Sequence, residues 1–168
     1  IGNSRLNKEK SNSLDVFMHK REGRFEWTLN LFANLIGDFI FLQEMELSGE
    51  RVADRVNPEG IPAAGGLLLL THRQKGARFL GAEFETTAHL LNDHRGKLDL
   101  RLWTDYTNGR LSGGEPIPRM TPWRFGGVLN YGLGPWRSTI DVMHVYKQNR
   151  VASLETETGA YTMLNLQM

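Results

Sequence analysis

The sequence contains no cysteine among its 168 residues. This absence excludes disulfide bonds, cysteine-ligated zinc, iron–sulfur clusters and thiol catalysis. An excess of charge of one sign is also missing, because 20 Lys and Arg residues stand against 19 Asp and Glu residues and leave a net charge of +1. The strongly basic composition of many nucleic-acid-binding domains is therefore excluded, and we expect no nucleic-acid partner.

Long hydrophobic runs are also lacking. The densest apolar run is the group of leucines at residues 67–70, far short of the roughly 18 consecutive apolar residues that indicate a membrane-spanning helix. A helical membrane protein is therefore excluded. Membrane-spanning strands remain compatible with the sequence, because a transmembrane barrel places its apolar residues at every second position and gives only a weak signal per segment.

Alternation of apolar and polar residues is the dominant pattern that is present. In residues 25–31, for example, Phe25, Trp27 and Leu29 alternate with polar residues, which indicates a strand with one apolar face. The pattern predicts no helix. It predicts seven strands, near residues 13–18, 25–45, 67–91, 98–111, 124–131, 137–151 and 161–168.

The predicted connections alternate between short turns and long polar loops. Short turns follow the first, third and fifth strands, and long segments follow the second, fourth and sixth. Outer-membrane barrels have this asymmetry, with short periplasmic turns and long extracellular loops. The faces opposite the apolar ones carry many charges, such as Glu83, Asp99 and Arg101, and these suit a hydrated lumen better than a packed core. The predicted fold class is all-β, an antiparallel up-and-down transmembrane β-barrel segment of about seven strands.

Two other classes of protein also fit alternating strands. A soluble β-sandwich that acts as a ligand-binding module is the first alternative, but it needs apolar inner faces on two sheets. A barrel enzyme such as a membrane lipase or protease is the second, and a Ser–His arrangement at the rim would support it. Paired carboxylates such as Glu83 and Glu85 have no nucleophile or orienting group nearby in the sequence, so we predict that the chain is not an enzyme and uses no cofactor.

Four segments of the sequence resemble the C-terminal barrel of TonB-dependent outer-membrane receptors, in the order expected of that family. Residues 2–11 resemble a family loop of the type GN-x-x-L-x-P-E-x-S, with Asn-Lys in place of the usual residue-Pro pair. The other three are residues 79–85, FLGAEFE; residues 117–126, IPRMTPWRFG; and residues 148–165, which resemble the final hairpin.

This resemblance implies a location in the outer membrane of a Gram-negative bacterium and a parent barrel of about 22 strands closed by a plug domain. Residues 1–168 would supply C-terminal strands and extracellular loops, with no plug domain. The implied function is active, TonB-dependent uptake of a scarce metal or metal chelate, and the ending ETETGAYTMLN is similar to the subgroup linked to zinc or haem. The implied partners are that metal or chelate (zinc, haem or a siderophore), outer-membrane lipid, and the TonB complex through the plug.

Most candidate site residues lie in or near the long loops. Imidazole and carboxylate groups are zinc ligands, so His72 is a candidate metal ligand together with Asp54 and Glu59 in the loop before it. Trp103, on a predicted lumen face, is a candidate ligand-stacking residue. Glu155 and Glu157 in the last long loop are candidate ligand-binding carboxylates, and no catalytic residue is expected.

Overall fold

Seven long strands build the structure, which is a computed structural model and describes residues 4–44, 46–47, 50–51, 70–152 and 155–168. The described part contains no helix, and therefore none long and apolar enough to cross a membrane. The long strands are β1 (Lys10–Lys20), β2 (Phe25–Glu44), β5 (Leu70–Asp93), β6 (Gly96–Leu111), β7 (Arg124–Leu133), β8 (Trp136–Val145) and β9 (Tyr161–Gln167). Two short strands, β3 (Glu46–Leu47) and β4 (Glu50–Arg51), pair with each other.

The long strands form one sheet in the order β1-β2-β5-β6-β7-β8-β9. Every neighbouring pair in this sheet is antiparallel, so the chain runs up and down without a crossover. Tight turns join β1 to β2, β5 to β6 and β7 to β8 at one edge, which we call the short-turn edge. The strand ends that the three longer connections join lie at the opposite, long-loop edge. The predicted alternation of connections is therefore confirmed.

The two faces of this sheet have opposite chemical character. Register partners point to the same side of a sheet, and Leu31, Ala82 and Tyr106 form one such row. Their side, the apolar face, carries exposed residues such as Leu102, which is 46% exposed. The next row has Asn30, Glu83, Asp105 and Arg124 on the other side, the polar face. The period-two prediction is thus confirmed on β2, β5 and β6, because a slip of one residue would reverse every side chain.

A small apolar core lies at the long-loop end of the sheet. It consists of Ala77, Leu111 and Ile117, with partly buried residues packed around it, among them Phe39 and Phe41. The only other sheet in the described part of the chain is the two-stranded β3–β4 pair, which is too small to form the second layer of a β-sandwich, so the β-sandwich alternative is wrong.

Two strands, β8 and β1, differ most from the sequence-based prediction. The sixth long strand, β8, ends at Val145 instead of residue 151. The Tyr146 amide makes one more bond in the β7–β8 register, to the Trp123 carbonyl at 2.9 Å, and beyond it Gln148 pairs with Thr158 within the β8–β9 connection. The first strand starts at Lys10 and runs longer than predicted. Polar residues such as Ser11 and Ser13 hide this extension in the sequence, and Ser11 Oγ donates to Asn34 Oδ1 at 2.6 Å on β2.

Candidate functional site

A cleft of about 520 Å³ opens at the long-loop edge of the sheet. Four parts of the chain contribute to it: the ends of β2 and β5, the β6–β7 connection and the β8–β9 connection. The lining residues are Phe39, Ile40, Phe41, Leu42, Leu70, His72, Ile117, Pro118, Arg119, Ala152 and Glu155. The first and last of these residues, Phe39 and Glu155, are more than 100 positions apart in the sequence. Only the order of strands in the sheet brings them together.

The walls of the cleft are mostly apolar and rest on the core. Ile117 is only 3% exposed, and its burial anchors the β6–β7 connection over the sheet. Phe39 packs edge-on against Phe79, with 5.7 Å between ring centres. Pockets that are mainly hydrophobic with a few placed polar groups are typical of small-molecule sites. The apolar part of this cleft therefore suits an organic surface.

Glu155 links the two long connections that border the cleft through hydrogen bonds. Its Oε1 accepts a hydrogen bond from the Arg119 amide at 2.5 Å, and its Oε2 accepts one from the Ala152 amide at 3.0 Å. Carboxylate oxygens make stronger hydrogen bonds than neutral acceptors do. Both oxygens of Glu155 thus hold loop backbone in place.

Arg119 occupies an unusual backbone conformation beside this carboxylate. Its φ is +62°, in the left-handed region that a residue with a side chain rarely adopts and that costs about 1–3 kcal/mol. The Glu155 hydrogen bond offsets that strain, and a second bond stabilises the same connection, because Gln148 Nε2 donates to the Met120 carbonyl at 2.7 Å. The result is a cationic side chain presented at the cleft on a constrained backbone.

The structure brings two of the predicted site residues together. His72 and Glu155 line the same cleft, whereas Glu157 is exposed and does not line it. Asp54 and Glu59 lie outside the described residues. Over the residues that the structure describes, no group of three or more His, Asp or Glu side chains is arranged so that it could hold a metal ion.

Trp103 lies far from this cleft, on the polar face of β6. Eight residues separate it from Leu111 at the end of the strand, which is about 26 Å along an extended chain. Its indole covers Gly126 on β7, because a Cβ built at that glycine would meet three indole atoms at 2.5–2.6 Å. One ring surface of Trp103 is therefore occupied by packing between strands.

Sequence reasoning missed two features of the polar face and the loops. Arg119 lies in a segment singled out for its family resemblance, and its position between prolines in a long loop was the available signal. The second feature is a cluster near the short-turn edge, in which His89 Nδ1 lies 2.7 Å from Asp99 Oδ1 and His89 Nε2 lies 3.2 Å from Glu26 Oε1. These three residues come from three strands, so no local pattern marks them.

An up-and-down antiparallel sheet with a broad exposed apolar face and a charged opposite face defines the wall of a transmembrane β-barrel. The chain belongs to the family described as "TonB dependent receptor-like, beta-barrel", which it matches over residues 1–168.

A solved structure, the copper transporter OprC, has a similar fold, with a TM-score of 0.76 and 19% sequence identity. The similarity covers 97% of this chain and 23% of OprC. The chain thus spans about a quarter of the length of this transporter, and the likeness shows the fold.

Proposed function

We propose that this chain is a C-terminal part of the barrel of an outer-membrane receptor that takes up a metal chelate by TonB-dependent transport. Membership of the TonB-dependent receptor barrel family supports a location in the Gram-negative outer membrane. The observation that carries the proposal is the two-faced sheet, because exposed leucines on one side suit lipid and the charges on the other suit an aqueous lumen. We propose a transport role rather than an enzymatic one.

The height of the apolar face supports this membrane placement. On β5 the apolar face extends from Leu91 to Leu80 across one bulge, which is about 33 Å along the strand. A tilt of about 40° reduces this to about 25 Å along the membrane normal, the height of the apolar band of an outer-membrane barrel. Trp27 and Trp136 stand on this face beside the short turns, where an aromatic girdle belongs.

The cleft supports a metal bound in an organic chelate as the cargo. Phe39, Phe41 and Ile117 offer apolar contacts that a bare hydrated ion does not use, while Arg119 and His72 offer groups for anionic or metal-coordinating parts of a chelate. The name of OprC, a copper transporter, fits cargo that contains a metal. Haem and siderophore complexes combine such a metal with an apolar or aromatic body.

The long-loop edge is the entry side in this proposal. Extracellular loops of outer-membrane barrels are the long ones, and here the long connections carry Arg119 and Glu155. We propose that capture occurs at this cleft and that the cargo then passes the polar face inside the barrel. The partner that supplies energy is the TonB complex, acting through the plug domain of the whole receptor.

Uptake by the whole receptor tests the proposed function. Cells that depend on this receptor are supplied with radiolabelled haem, a ferric siderophore, or copper or zinc ions alone. We expect accumulation of a chelate that stops when the proton gradient is removed with a protonophore. Equal accumulation with and without the gradient, or no receptor-dependent accumulation of any of these probes, would contradict TonB-dependent transport.

Two substitutions and a matched control test the cleft. Arg119→Gln keeps the backbone amide that Glu155 binds but removes the guanidinium, and His72→Ala removes the imidazole. We expect each to weaken binding of the transported chelate by about tenfold, the effect of losing one charge-assisted contact. Glu157→Gln, in the β8–β9 connection but outside the cleft, should leave binding unchanged. Equal effects of all three substitutions would remove the cleft as the site.

A further inference from the structure

Three arginines mark the boundary where the apolar face ends toward the long loops. Arg78 and Arg110 are direct partners in the β5–β6 register, and both have the same strand parity as Leu80 and therefore lie on the apolar face. The guanidinium carbon of Arg150 lies 5.3 Å from the centre of the Tyr106 ring. Arg110 and Arg150 also line one small cleft. We call Arg78, Arg110 and Arg150 the arginine row.

No carboxylate neutralises the arginine row within the part of the chain that the structure describes. Arg95, Arg101 and Arg124 each have an acidic partner within 4 Å, but none of the three arginines of the row forms such an ion pair with a described residue. Like charges directly opposite each other in a sheet are destabilising. The pairing of Arg78 with Arg110 therefore indicates a place for an anion supplied from outside the sheet.

Exposed hydrocarbon surface lies directly beside this positive charge. Leu35 shares the register row of Arg78, and Leu14 and Leu80 share the next row toward the short turns. These leucines are 55%, 66% and 48% exposed. A ligand that fits both features has an anionic head and apolar chains.

We propose that the arginine row binds a phosphate of an anionic phosphoglycolipid in the membrane leaflet on the long-loop side. Cβ atoms of direct partners are about 5 Å apart, so the guanidinium groups of Arg78 and Arg110 reach one phosphate, and each can bind it with two N–H donors. Acyl chains then lie along Leu14, Leu35 and Leu80. The inference rests on the proposed function, because that function places the apolar face in lipid.

The depth of the row suits this role. Arginine on the lipid face is strongly unfavourable at the bilayer midplane but nearly neutral at the interface. Arg78 lies two residues from Leu80 toward the long loops, just beyond the apolar band of β5, and in the proposed placement this is the level of the lipid head groups. Tyr106, beneath Arg150 on the same face, is the kind of ring that gathers at this level.

The test uses the whole receptor purified in a neutral detergent. Its affinity is measured for lipid A, a bisphosphorylated acylated glucosamine disaccharide, and for the same lipid after removal of both phosphates. We expect the phosphorylated lipid to bind more tightly, and Arg78→Gln together with Arg110→Gln to weaken its binding at least about tenfold. Arg73→Gln is the matched control, because Arg73 lies on the same strand with the opposite parity, opposite Phe41, and should leave the affinity unchanged.

Each other outcome overturns the inference. Equal binding of the two lipids, or an unchanged affinity in the double variant, shows that the row is no lipid-phosphate site. Full displacement of the lipid by millimolar inorganic phosphate shows a site for free phosphate instead. Insertion of the wild-type receptor into phosphatidylcholine vesicles separates the two proposals: failure to insert contradicts the membrane barrel itself, whereas insertion without a preference for lipid A contradicts only the arginine row.

Discussion

Exchanging the residues at two adjacent positions of β6 gives a direct test of which face of the sheet meets lipid. Leu102 lies on the apolar face and is 46% exposed, and Arg101 lies beside it on the polar face, 3.5 Å from Glu85. Leu102→Arg places a charge in the middle of the apolar band, whereas Arg101→Leu removes a charge from the aqueous side. The two substitutions exchange the same chemical groups in opposite directions.

The expected costs in folding free energy differ severalfold. Arginine at the lipid-facing midplane costs about 2–4 kcal/mol. The Arg101–Glu85 pair is about half exposed on both side chains, so breaking it costs about 0.2–1 kcal/mol. Leu80→Arg provides a depth control, because Leu80 lies at the edge of the band next to Arg78, and a charge near the interface costs only about 0–1 kcal/mol.

Denaturant titrations of the whole receptor barrel during folding into phosphatidylcholine vesicles measure all three variants. We expect Leu102→Arg to destabilise the barrel most. Arg101→Leu and Leu80→Arg should each lower the free energy of unfolding only slightly. Equal penalties for Leu102→Arg and Arg101→Leu would refute the assignment of faces, since it predicts a difference of at least about 1 kcal/mol.

Three further predictions concern packing, pH and the cleft. Gly126→Ala forces a Cβ into the Trp103 indole, so we expect about 1–3 kcal/mol of destabilisation in a denaturant titration and a changed indole fluorescence. The Lys75 ammonium, 2.8 Å from Glu115, lowers the pKa of that carboxyl. The stabilisation from this ion pair is therefore present above the ordinary glutamate pKa of about 4.3 and is lost as the pH falls through the lower pKa of the folded state. Faster amide exchange in the loop reports that loss. Glu155→Ala removes both backbone hydrogen bonds of the carboxylate, and we expect faster protease cleavage of the two long connections.

Matched controls accompany each of these predictions. Gly159→Ala meets no atom within 4 Å and should change stability by less than about 0.5 kcal/mol. Glu115→Gln should remove the pH dependence of loop exchange, and exchange that still rises with acid in that variant would contradict the role of the ion pair. Glu157→Ala should leave cleavage at the wild-type rate, so faster cleavage in both glutamate variants would point to general loop loosening.

The number of long strands, their faces and the alternation of turns were predictable from sequence. On β6, for example, Leu100 and Leu102 are separated from Asp99 and Arg101 by strict period-two alternation, and this pattern needs no partner strand to be recognised. The boundaries were less predictable, because the residues that start β1 are polar and because Gln148, beyond β8, pairs with Thr158 instead of with β7.

The candidate site was only partly predictable. His72 and Glu155 were chosen for their chemistry, and the structure places both at one cleft. Trp103 was chosen for its ring, and the sequence held no sign that Gly126 would lie beneath it. Arg119 was overlooked because its exceptional feature is a backbone angle, which residue type alone does not reveal.

The sequence by itself determined the chemistry of each strand face, because side-chain direction alternates along any extended chain. It also determined where the chain turns, through its polar and glycine-containing segments. Only the tertiary structure decided the register in which neighbouring strands pair. The register sets Arg78 opposite Arg110 and brings His72 to the same cleft as Glu155. Such contacts join residues far apart in the chain, and their free energy comes from pairing and packing that no local pattern contains.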